Sequence, residues 1–381
     1  MTLHSRRIPL RDILLPSLDL VPVTPDEIFQ TAGLLNRGRG LFKREPHRGA
    51  ETKYRHYNRI HRDQVIYSKL FGWEGAVALV PAEFENLYVS SEFPTFEIDR
   101  SSVSLGYVRH LVRWPGLHGM MAAATNGLGQ RRQRVSVDQF LALLVPVPNI
   151  EEQQVVAKLL DHLDARRTAI VERATQVRGL VTALRDSLCQ VDAASVRIGD
   201  RIELVRESVP IDPDREYHPI GLRSFGRGVI HYPATCGRDL SKLRYFAVPE
   251  GALLLSNIKA WEGAIGVSSG NEVGRIASNR FLAYRAAGES VDVKYLSHFF
   301  LSRAGLPLIE RASPGAADRN RTLGIKAFED LHVPLPRIEG QRQIVSILDK
   351  AFEALRRIAY RERQLDALME SMLNRAFTAV G

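Results

Sequence analysis

The most constraining feature of this sequence is that it repeats itself at one fixed distance. Residues 145–154 read VPVPNIEEQQ and residues 333–342 read VPLPRIEGQR, an offset of 188. The same offset sets SKLFGWEGA (68–76) on SNIKAWEGA (256–264), with Trp73 on Trp261, and GLLNRGRG (33–40) on GLRSFGRG (221–228). Ser90 and Phe93 fall on Ser278 and Phe281, Tyr107 and His110 on Tyr295 and His298, Gly127 and Arg131 on Gly315 and Arg319, and Phe140 on Phe328. One shift serves from about residue 8 to residue 161. Solenoid repeats have periods of about 20–50 residues, so this is a tandem duplication of a whole domain. Between the matched blocks the copies diverge: GLFKREPHRGAETKYRHYN (40–58) faces GVIHYPATCGRDLSKLRYF (228–246) with little in common.

Within each copy, QVIYS (64–68) and ALLLS (252–256) are short β-branched or aliphatic runs that read as strands. After the glycine of WEGA, AVALV (76–80) and AIGV (264–267) resume strand character, as do FPTFEI (93–98) and FLAYRA (281–286). YVRHL (107–111) and YLSHF (295–299) read as helical, which makes each copy α+β with a mixed or antiparallel sheet. After each VPxP the period changes. Apolar residues step by four and three through Val156, Leu160, Leu163, Ile170, Ala174, Val177, Val181, Leu184 and Leu188, with Arg167 as the break. In the second copy they run through Ile344, Leu348, Ala351, Leu355, Ile358, Leu365, Met369, Met372 and Ala376, with Glu362 as the break. That spacing is a coiled-coil seam, and about 40 residues make a rod of roughly 60 Å. Such a rod outruns a domain of this size, so the two helices are expected to pair antiparallel with each other under a pseudo-twofold. Late in the helices Leu184 and Leu188 match Leu368 and Met372 better at a shift of 184, which suggests that one turn is missing from the second helix.

The expected organisation is therefore a first domain over 1–148, a long helix over 149–192, a second domain over 193–336 and a C-terminal long helix over 337–381. The chain has 381 residues, a net charge of +9 and two cysteines, Cys189 and Cys236. Two cysteines make neither a disulfide framework nor a metal cluster. The opening MTLHSRRIPLRD lacks an apolar signal segment, and no apolar run reaches membrane-spanning length, so a cytoplasmic protein is expected. The basic excess favours polyanions, nucleic acid first.

On these residues the chain resembles the DNA-specificity subunit of a type I restriction–modification system. VPLPRIEGQRQI (333–344) entering a helix that ends SMLNRAF, its echo VPVPNIEEQQVV (145–156), Ser313-Pro314-Gly315 with Arg319, and LSNIKAWEGAIGV carry the resemblance over essentially the whole length. Gly340 in place of the first copy's Glu152 is a departure that costs a little helix propensity. The resemblance implies two target-recognition domains, each reading one half of a split, asymmetric double-stranded DNA target. It implies a helix pair that sets their spacing and docks two adenine methyltransferase subunits, with restriction/translocase subunits joining that core. The subunit itself would be non-catalytic and bind no cofactor, S-adenosylmethionine, ATP and Mg²⁺ being used by its partners. The expected partner-binding residues lie where the long helices begin: Glu152, Gln153, Gln341 and Arg342.

Affinity for DNA comes from Arg and Lys on phosphates, and sequence choice from side chains at base edges. In the first copy the candidates are Arg37, Arg39, Lys43, Arg44, Lys53, Arg55, Arg131, Arg132 and Arg134. In the second they are Arg223, Arg227, Lys242, Arg244, Lys259, Arg319 and Arg321. Arg39/Arg227 and Arg131/Arg319 survive the duplication, as phosphate-positioning residues would. Trp73 and Trp261, each beside a strand, are read as core residues. A rival reading is a stand-alone nuclease built on Asp26, Glu51 and Lys53, but Ser241 stands opposite Lys53 and AETKYRHYN is not the apolar strand such a site requires. A second rival is a protein-interaction scaffold whose basic patches are incidental. No Asn-Pro-Pro-Tyr or Asp-Pro-Pro-Tyr methyltransferase signature and no P-loop occurs, and the histidines, His56 and His61 included, show no metal spacing or acidic partner pattern.

Overall fold

The structure is a computed structural model that describes residues 6–125, 134–315 and 321–378. It divides into two units: unit 1 comprises Met1–Glu172 with Tyr360–Gly381, and unit 2 comprises Arg173–Ala359.

Unit 1 is built from antiparallel sheets. Arg6–Pro9 pairs with Leu144–Val147. A four-stranded sheet runs in the order Val77–Leu79, Val65–Tyr67, Thr95–Ile98, Leu14–Pro16, and a three-stranded one runs Tyr88–Val89, His56–Arg59, Leu20–Pro22. Two small ladders complete it: Ile28–Phe29 with His47–Arg48, and the hairpin Ala32–Leu34 with Leu41–Lys43. Helices α1 (Leu105–Leu111), α2 (Pro115–Ala123) and α3 (Val137–Leu141) cover the larger sheet. Helix α4 (Ile150–Cys189) follows. Unit 2 repeats the plan. Its sheets run Ile202–Leu204, Phe281–Ala286, Leu253–Ser256, Ile265–Val267 and Ser208–Val209, Tyr245–Ala247, Ile276–Ser278, with Ile220–Leu222 and Val229–His231 as the hairpin. Its helices are α5 (Val293–Phe300), α6 (Leu306–Arg311), α7 (Ile325–Glu329) and α8 (Ile338–Thr378). The strands at 64–68, 76–80 and 93–98 and the helix at 107–111, with their second copies, form where the sequence pattern puts them.

The offset of 188 holds in the backbone as well as in the letters. The hairpins, the 3-10 turns Gly72–Glu74 and Ala260–Glu262, and the isolated parallel bridges Thr31–Tyr88 and Pro219–Ile276 all correspond at that shift. So do the left-handed residues: Arg37 with Phe225, Gly38 with Gly226, Gly40 with Gly228, Asp63 with Gly251, Gly75 with Gly263, and Asn86 with Gly274. The segments that diverged in sequence therefore changed side chains without gaining or losing a residue.

Within each unit the long helices lie antiparallel. In unit 1, Phe377 near the end of α8 packs on Tyr107, whose hydroxyl donates to the carbonyl of Pro146 just ahead of α4. Asp366, earlier in α8, meets Arg167 well inside α4. Val156, Leu160 and Leu163 of α4 thus share one core with Met369, Leu373 and Phe377 of α8. Arg167 and Glu362, which interrupt the two apolar seams, attract each other across this pair. In unit 2, Cys189 at the end of α4 shares a core with Ile344, Val345 and Leu348 at the start of α8.

The expected one-turn deletion is absent. Helix α8 begins 188 residues after α4, and the buried pairs Val181/Met369 and Cys189/Phe377 keep that offset to the end. The shift of 184 had matched Leu184 with Leu368, but both are exposed leucines and report nothing about the seam.

The VPxP…Q motif is a junction. Gln153 and Gln341 are fully buried. Gln153 Oε1 accepts from the backbone N–H of Ser104, and its Nε2 donates to the carbonyls of Ser102 and Pro148. Gln341 does the same with Asp292, Ser290 and Pro336. Each amide ties the first turn of a long helix to the chain just before α1 or α5. This corrects the expectation that Gln153 and Gln341 bind a partner, because their polar atoms are spent inside their own units and no surface is left to share. Glu152 stays half-buried beside the junction, and Arg342 is exposed.

Two outcomes follow. Gln341→Leu strands one N–H and two carbonyls, an expected cost of about 2–4 kcal/mol seen as a lower thermal midpoint; an unchanged midpoint would refute the junction role. Phe377→Ala removes a buried ring at an expected cost of about 3–5 kcal/mol. Hydrogen exchange should place that loss in residues 6–172 and spare 195–335.

Candidate nucleic-acid interface

The hairpin Ala32–Leu34/Leu41–Lys43 turns through Leu35–Gly40, and its backbone is pinned to the neighbouring 3-10 turn. Arg37 N–H donates to Glu74 O at 3.0 Å and Gly38 N–H to Gly75 O at 2.9 Å. In unit 2 Phe225 N–H donates to Glu262 O at 2.9 Å and Gly226 N–H to Gly263 O at 2.8 Å. Asn36 Nδ2 donates to the Glu74 carboxylate, and Ser224 Oγ donates to Glu262 at 2.9 Å. A Cβ at Gly38 would lie 2.7 Å from the Val112 carbonyl oxygen, so glycine is required where the tip meets the end of α1.

The tip displays cations. Arg37, Arg39, Arg223 and Arg227 are exposed, and none has a carboxylate partner among the described residues. Lys43 and Arg44 follow on the return strand, each over an aromatic ring at 5.6 Å, Phe84 and Phe42 respectively. Lys53 and Arg55 are exposed ahead of His56–Arg59, and Lys242 and Arg244 are exposed ahead of Tyr245–Ala247. Arg134 differs, being held by the Glu92 carboxylate. Arg131, Arg132 and Arg319 lie outside the described residues. Of the described cations at the hairpins only Arg39/Arg227 occupy equivalent positions; the others sit at different places on the same backbone.

Trp73 and Trp261 are not core residues. Both are half-buried. Trp261 is flanked by Lys259 Nζ at 4.8 Å and Arg321 Cζ at 5.1 Å from its ring, and its Nε1 donates to Ile258 O. Cation–π attraction therefore gathers two candidate contacts that sequence spacing leaves 62 residues apart. Trp73 lines a groove of about 1570 Å³ between the hairpin tip and helices α2, α4 and α8 of unit 1, together with Arg37, Arg39, Arg109, Arg113 and Arg167. The last three were not among the sequence candidates: Arg109 stands on α1, Arg113 in the turn between α1 and α2, and Arg167 on α4, each beside an acidic partner. Arg109 pairs with Asp161, Arg113 with Asp164 and Arg167 with Asp366. Unit 2 has a smaller cavity of about 580 Å³ in the same place, lined by Gly226, Arg185, Lys294, His298 and Lys350.

The nuclease alternative gains nothing here. Asp26 and Lys53 are exposed, and Glu51 accepts from the Arg48 N–H to cap its own 3-10 turn. No group of three His, Cys, Asp or Glu among the described residues could hold a metal ion. His61 does have acidic partners, Glu85 at 3.0 Å and Asp19 at 2.9 Å, which raise its pKa, Glu85 first; sequence separation hid both. No helix among the described residues is long and apolar enough to cross a membrane.

Two copies of one basic α+β domain, each displaying a pinned hairpin and each joined to a long helix, define a duplicated scaffold. Over nearly its full length the chain has the fold of the S subunits of type I restriction–modification systems. One such similarity is to a structure on complex assembly and conformational transition of the type I R-M system, with 19% identity, a TM-score of 0.63, and 99% of this chain and 98% of that one covered. Another is to the type I restriction–modification S subunit from M. genitalium, with 13% identity, a TM-score of 0.55, and 98% and 96% covered. No family model and no curated protein matches the sequence.

Equivalent buried histidines give this frame a pH dependence. His110 Nε2 lies 2.8 Å from Asp161 and His298 Nε2 lies 3.8 Å from Asp349, both joining a short helix to a long one. Burial pushes both pKa values down against the pull of the aspartates, His298 to about 4. Because both folded values are lowered, the unfolded chain takes up these protons first, so their contribution is present above the unfolded value of about 6.5 and is lost as pH falls below it. Each group adds a slope of up to about 1.4 kcal/mol per pH unit, for His298 between about 6.5 and 4. His298→Gln is expected to be less stable at pH 7.5 yet to show a smaller drop in thermal midpoint between pH 7.5 and 5; an equal drop would refute the assignment.

Proposed function

We propose that this chain is the non-catalytic, sequence-specific DNA-binding subunit of a type I restriction–modification system, and that it recognises a bipartite, asymmetric double-stranded target. The observation that carries this reading is the pairing of one conserved backbone frame with diverged surface cations. Two readers that kept their scaffold and changed their exposed side chains suit two different half-sites. A pseudo-twofold arrangement of the units would present them to the duplex in opposite senses, as symmetric dimers meet palindromes. The helix pair would then set the distance between half-sites and receive two adenine methyltransferase subunits, which restriction/translocase subunits would join. In this reading S-adenosylmethionine, ATP and Mg²⁺ belong to those partners.

The test is methylome sequencing of the host with and without this gene, beside methylation assays of the purified complex. Adenine methylation of one split, non-palindromic motif should vanish when the chain is removed. Methylation that persists unchanged would refute the reading. DNA affinity of the complex should also fall about 10³–10⁵-fold between 50 and 200 mM salt if six to ten phosphates are contacted.

A further inference from the structure

Three pairs of corresponding left-handed backbone positions include a residue other than glycine. At two of them one unit uses Asp63 or Asn86 and the other uses Gly251 or Gly274. Those are the residue types that tolerate this conformation, so chain direction alone explains them. The third pair is different. Arg37 has φ +59° and Phe225 has φ +62°, and neither unit has used glycine, asparagine or aspartate. Both units thus keep a large side chain at a position that disfavours it, and the side chain is not the same one.

Packing does not account for this. Arg37 is exposed and Phe225 is 70% exposed, the latter with Arg227 Cζ 5.5 Å from its ring. Backbone hydrogen bonds to residues 74 and 75, or 262 and 263, fix the tip whatever the side chain is. A fixed backbone bearing an exposed, strained and exchangeable side chain is a display position.

Resting on the DNA-reading function proposed above, we propose that residues 37 and 225 are the specificity-determining pair, one for each half-site. Arg37 offers the guanidinium fork that fits guanine O6 and N7 in the major groove. Phe225 offers an apolar edge that fits the thymine methyl group, with Arg227 beside it for a neighbouring phosphate.

The experiment is selection from randomised duplexes by the full chain in complex with its methyltransferase, comparing the wild type with Arg37→Ala, Arg37→Gly, Phe225→Ala and Phe225→Gly. Substitution at 37 should remove a guanine preference at one position of one half-site, about ten- to hundredfold, and leave the other half unchanged. Substitution at 225 should do the same for a thymine in the other half, and deoxyuridine there should mimic it. The glycine variants guard against misfolding: glycine suits a positive φ, so their thermal midpoints should equal or exceed the wild type while discrimination is still lost. Unaltered motifs in all four variants would overturn this assignment and leave the proposed function standing. A wild-type complex that selects no motif would overturn both.

Discussion

Each unit depends on one buried glutamine. Gln153 and Gln341 sit where a strand ends, prolines follow and a helix of about forty residues starts. An amide with one acceptor and one NH₂ group can join three backbone groups at once, and here it does so twice, with backbone groups at corresponding positions of the two units. Leaving those groups unpaired away from water would cost more than the bonds themselves gain. The direction of each long helix relative to its sheets is thereby fixed at the first turn, and the seams and hydrophobic cores build on it.

A frame fixed in this way frees the rest of the surface. The hairpin tips hang on main-chain bonds and on glycines at 38 and 226, none of which uses the side chains at 37 and 225. Cations could then move between positions on one unchanged backbone: at the offset of 188, Arg37, Lys43 and Arg44 of unit 1 correspond to Phe225, His231 and Tyr232 of unit 2. The residues that hold the fold and the exposed side chains of the hairpins are separated in sequence, so one set can drift while the other stays.

Core compensation shows the same economy. Phe377 stacks on Trp114 in unit 1, and the corresponding residues of unit 2 are the small buried pair Cys189 and Ser302. Corresponding buried positions at the two ends of the long helices thus hold residues of different volume.

Much of this was legible in the sequence. A constant offset of 188 announces two copies of one domain, and the 4-3 spacing after each VPxP announces the long helices, because periodicity is a local property of the chain. The same spacing misreported the helix ends, where an exposed leucine and a buried one look alike. Tertiary structure alone decided that Gln153 and Gln341 are buried ties rather than surface contacts, that Trp261 lies between Lys259 and Arg321, and that His61 rests between Asp19 and Glu85. Burial and partnership are set by residues distant along the chain, and no local pattern records which of them will meet.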